Sequence, residues 1–90
     1  MKSLRSTVLS VLARHLEHPE PTLHLWTDLE RDLDVTPLEV ALVALEIEAI
    51  EKVDLHVAAL VGARTVAELL NAFTSEVERA RLARGDLDVA

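Results

Sequence analysis

Apolar residues at Leu4, Val8, Leu9, Val11, Leu12 and Leu16 recur at the spacing of one helix face. Ser3 suits the N-cap, and Pro19 and Pro21 stop the pattern, so a first helix is predicted from about 3 to 18. Residues 19–35 mix polar and apolar positions around those prolines. They read as a long connection held down by Leu23, Leu25, Trp26, Leu29 and Leu33, with a helical turn near 26–31. Thr36-Pro37-Leu38-Glu39 then combines a capping threonine, a proline at the first helical position and a glutamate that completes a capping box. The helix behind it should run from 37 to about 51. Lys52 to Leu55 reads as extended, and His56 to Val61 as a short third helix ended by Gly62. Thr65-Val66-Ala67-Glu68 repeats the capping-box pattern and starts a last helix from 66 to about 84. Arg79, Arg81 and Arg84 suit the negative end of its dipole, and Gly85 suits its C′ position. The pattern therefore predicts an all-α chain of three long helices and one short one. It forms a single domain over 1–85, with a frayed tail at 86–90.

Composition agrees with helix-on-helix packing. Half of the 90 residues are apolar, yet Trp26 and Phe73 are the only Trp, Tyr or Phe, so Leu, Val and Ala must fill the core. The chain has no cysteine, which excludes disulfides, thiolate metal sites and a cysteine nucleophile and suits the cytoplasm. The N-terminal segment reads as an amphipathic helix rather than a signal peptide. No segment approaches the roughly 20 apolar residues of a membrane span. A formal net charge of −7 would repel phosphate backbones, so a nucleic-acid partner is not expected, while a basic patch on a protein is.

The order of long helix, long loop, long helix, short helix, long helix resembles the acyl carrier protein fold, a four-helix bundle with a long loop between its first two helices. Family members show an apolar residue, two variable positions, Asp-Leu-Gly-x-Asp-Ser-Leu and then a helix. The stretch from Leu29 through Asp32-Leu33-Asp34-Val35-Thr36-Pro37-Leu38 falls on that frame, matching at Asp32, Leu33 and Leu38. EVALVALEIEAIEKVDLHV is similar to the family's second helix and the extended stretch after it. Arg64 to Leu70 looks like the start of its fourth helix. The resemblance implies a phosphopantetheine arm on the serine of Asp-Ser-Leu. Pro37 stands at that position and has no hydroxyl, so no arm and no cofactor is expected. Thr36 carries a hydroxyl one residue away, but its oxygen is needed to cap the helix. An unrelated small helical bundle is the competing reading, as is a carrier modified at an unusual residue.

The second helix suggests what such a protein does instead. From 38 to 50 nearly every position is apolar, and the points cover almost the whole helical circumference, which normally means burial on more than one side. Glu39 and Glu46 keep the acidic character that partner enzymes read in carriers, while Leu42 and Ile50 fall where the family often has acids. Glu39, Leu42, Glu46, Ala49 and Ile50 are thus the candidate partner-binding residues. The partner would be a protein with a basic or apolar patch, or a second copy of the chain. Alternatively the 19–35 connection folds over this face with Trp26 as its lid. Docking or regulation near fatty-acid or polyketide-type enzymes is the expected role; a self-associating structural module is the other.

Other chemistry is weakly signalled. His15 and His18 share a helix face, and Glu17 or His24 could complete a metal site, but no compact ligand motif is present and surface histidines are expected. No serine has a base or motif around it, so no enzyme is expected. Glu30, Asp32 and Asp34 read as solvated loop charge. The positions matching the family's acyl pocket include Ala44, Ile47, Leu55 and Ala63, with Glu51 set against them. A carboxylate buried there unpaired would be costly, so non-covalent acyl binding is not favoured.

Overall fold

A computed structural model describes residues 3–17 and 23–83. Among them the chain is all-helical. α1 spans Leu4–Leu16, α2 spans Pro37–Glu51 and α3 spans Val66–Ala83, with a single 3-10 turn at Val57–Ala59 between the last two.

The helix ends follow the cap chemistry with small shifts. Ser3 caps α1 by accepting from the Ser6 N–H. α1 closes at Leu16 rather than near 18, because Glu17 turns into the left-handed region (φ 56°) and returns its N–H to the carbonyls of Ala13 and Arg14. His18, Pro19, Pro21, Arg84, Gly85 and the 86–90 tail lie outside the described residues. α2 ends in the same way, with Lys52 at φ 57° and its N–H on Glu48 O. The expected short third helix is only the 3-10 turn. His56 gives it no side-chain cap, and Leu60, fully buried, draws the chain into the core immediately after it. The described residues therefore hold three α-helices, not four.

The core joins Val8, Val11 and Leu12 of α1 to Val43, Ala44 and Ile47 of α2 and to Val66, Leu69, Leu70, Phe73 and Val77 of α3. Phe73 is its largest fully buried side chain. With so few aromatics, branched aliphatics complete the packing, as the composition required.

The connection before α2 is ordered by backbone pairing with the start of α3. Leu29 N–H donates to Arg64 O (2.8 Å), Val66 N–H to Thr27 O (3.1 Å) and Ala67 N–H to Leu25 O (2.9 Å). Leu23, Leu29 and Val35 are the buried anchors, while Leu33 is half-buried and Leu25 is exposed. Trp26 is not a lid. It is 76% exposed and stacks on His24, ring centroids 4.7 Å apart. The backbone bonds to α3 pull residues 25–29 toward that helix, so the loop does not fold over the outer face of α2.

Candidate functional site

Thr36 and Glu39 build the entrance of α2. Thr36 Oγ1 accepts from the Glu39 N–H (3.2 Å), and the Glu39 carboxylate accepts from the Thr36 N–H (3.1 Å) and hydroxyl (3.3 Å). The capping box is thus complete, with Pro37 at its first helical position. At α3 the reciprocal half differs. Glu68 N–H donates to Thr65 Oγ1 (3.2 Å), but the Glu68 carboxylate accepts from the Arg64 N–H (3.1 Å) instead of that of Thr65. Thr65 pairs with Asp28 in an isolated β-bridge, which fixes its backbone away from the box geometry.

Asp34 precedes this entrance in the left-handed region, at φ 55°. Few residues other than glycine, asparagine and aspartate adopt that conformation without strain. Its N–H reaches Glu30 O (3.1 Å), and Val35 N–H returns to Leu29 O (2.8 Å), so the turn before α2 is tight. A groove of about 710 Å³ opens beside it, lined by Asp28, Arg31, Asp34, Pro37, Val61 and Arg64 among others. Its wall mixes both signs of charge with apolar residues such as Val35, Val40 and Val61.

The expected acyl-pocket positions are filled instead. Ala44, Ile47 and Leu55 are buried in the core and Ala63 packs against it. Glu51 is not stranded, because Arg81 of α3 reaches its Oε1 at 2.6 Å.

The five candidate partner residues occupy different environments. Glu39 is half-buried in the cap. Glu46 sits on the flank toward α1, hydrogen-bonded to the Arg14 guanidinium and with Oε1 3.1 Å from His15 Nε2. Leu42, Ala49 and Ile50 are exposed, although Ile50 lies about 110° around the helix from the outermost line. Leu38 and Leu45, which sequence reasoning did not single out, are more exposed than Leu42: 68% and 59% against 42%. At about 100° per residue, Leu38, Leu42, Leu45 and Ala49 fall within about 60° of one another, and the stripe they form lies opposite Ile47. Their spacing of four, three and four residues is that of a coiled-coil seam. The signal was present in the sequence but hidden by apolar residues on every other side.

Glu76 is the buried charge that sequence reasoning also missed. Burial raises its carboxyl pKa. The His56 N–H (2.8 Å) and Arg79 (3.2 and 3.4 Å) outweigh that burial and hold it below the usual carboxylate value. The group joins the chain after α2 to α3 and is structural.

No group of three or more His, Asp or Glu that could hold a metal ion occurs among the described residues. No helix among them is long and apolar enough to cross a membrane. No protein-family model, curated protein or solved structure matches the chain.

Proposed function

We propose that this chain is a carrier-like helical module that bears no pantetheine arm and works by docking. The outward apolar stripe of α2, opposite its buried face, carries the reading: a helix kept in place by its inner face alone has no need of three exposed leucines on the other. The carrier likeness is supported by Asp34, whose left-handed backbone stands where the family frame has its glycine, and the absence of the arm by Pro37 at its attachment point. The partner sits near enzymes that use acyl carriers, of fatty-acid or polyketide type, and the module contributes contact rather than catalysis. Intact mass after incubation with a phosphopantetheinyl transferase and coenzyme A tests the loss of the arm. The mass stays unchanged on this reading, and a gain of about 340 Da overturns it.

A further inference from the structure

We infer that the occupant of the α2 stripe is α2 of a second copy, packed antiparallel about a twofold axis between residues 43 and 44; this rests on the docking role just proposed. Side-chain size is the first argument. In that register Leu42 faces Leu45 of the second copy and Leu38 faces Ala49, so each large residue at the ends meets a small one and the centre is leucine on leucine. A parallel pair would place Ala49 on Ala49 and leave a gap beside leucine layers. Charge is the second argument. Antiparallel twofold packing brings the same flank of both helices together, so Glu39 of one copy lies on the flank of Glu46 of the other, about 3 Å from it along the axis. Arg14 already stands at that flank, paired to Glu46 while 63% of its side chain stays exposed, and is placed to bridge to the incoming Glu39. The parallel arrangement would offer Arg14 only Ala41. Aligned end to end, the two α2 dipoles also oppose, which is the favourable sense.

The seam is one helix of 15 residues, roughly 22 Å long, well short of a standard protein interface. The dimer is accordingly weak, with a dissociation constant in the micromolar range.

Sedimentation equilibrium over roughly 1–300 µM tests it, spanning that range. The unaltered chain shows a monomer–dimer equilibrium. Leu42→Glu weakens it at least about a hundredfold, because each substitution acts twice across a twofold axis. Circular dichroism checks that the variant stays folded, as an exposed position requires. Because the chain has no cysteine, cross-linking fixes the register. Leu38→Cys with Ala49→Cys forms an intermolecular disulfide under mild oxidation, and Leu38→Cys alone does not. A monomer at every concentration, or a dimer that ignores Leu42→Glu, overturns the pairing; ready cross-linking of Leu38→Cys alone overturns its antiparallel sense. None of these outcomes changes the mass measurement that tests the absence of the arm, so the pairing and the carrier-like reading can fail separately.

Discussion

α2 and α3 contribute to one core, but they treat the rest of their surface differently. α3 buries Val66, Leu69, Leu70, Phe73, Val77 and Ala80, and turns Asn71, Ser75 and Glu78 outward, with Leu82 its one large exposed apolar residue among those described. Packing within the domain accounts for that pattern. α2 buries Val40, Val43, Ala44 and Ile47 and still presents Leu38, Leu42, Leu45 and Ile50. The folding of a single domain accounts for one face of α2 and leaves the other unexplained. The difference separates residues that hold the domain together from residues that its internal packing does not use.

The sharpest way to break this comparison is truncation. Phe73→Ala in α3 should cost about 3–5 kcal/mol in urea unfolding, and Ile47→Ala on the inner face of α2 about 2–5 kcal/mol. Leu45→Ala on the outer face, measured in dilute solution where the proposed pair would be dissociated, should stay within about 0.5 kcal/mol. If Leu45→Ala costs as much as Ile47→Ala, the two faces of α2 are not distinct.

Glu76→Gln follows, at about 1–3 kcal/mol, since a buried acceptor of several hydrogen bonds loses its charge. Its pH dependence has a definite sign. The folded carboxyl lies below its unfolded value of about 4.3, so its stabilisation is fully present above that value and is lost as the pH falls through the folded one. Acid unfolding of Glu76→Gln should therefore be shallower than that of the parent below about pH 4. An equal slope would remove Glu76 from the account.

Thr36→Ala should cost about 1 kcal/mol by removing the side-chain half of the α2 cap. Thermal melting reads it, and a change of a few tenths would mean that Pro37 alone suffices to start the helix. The smallest effect belongs to Trp26→Ala, under about 0.5 kcal/mol, because the ring covers nothing in the core. A loss above 2 kcal/mol would restore the lid.

Much of the fold was legible in the sequence because caps and periodicity are local. Ser3, Thr36 and Thr65 mark the helix starts, and Pro37 with Glu39 gave a complete box. The third helix was over-read since its length depends on where Leu60 must go, a tertiary demand with no local signature. Trp26 was misplaced for a related reason: a tryptophan in an apolar-rich loop invites burial, but the backbone bonds of Leu29, Val66 and Ala67 set the loop's path. Of the candidate site, Leu42 and Ala49 could be named from sequence. Leu38 and Leu45 needed the identity of the buried face, because a helix apolar all round has no outside until its neighbours are known. Glu46 was read as part of an acidic partner-binding face; its engagement with Arg14, 32 positions earlier, is non-local and left no trace in the pattern.

The capping box at α2 has a further chemical meaning. Helix N-termini attract phosphates and carboxylates through unpaired backbone donors and a positive dipole end. Here Pro37 contributes no N–H, the Glu39 N–H is held by Thr36 Oγ1, and the Val40 N–H is held by Thr36 O. The Glu39 carboxylate is held beside that end of the helix by the Thr36 N–H and hydroxyl. The capping box thus sets the chain's own carboxylate at the entrance of α2, where its charge would oppose a phosphate arriving from solution.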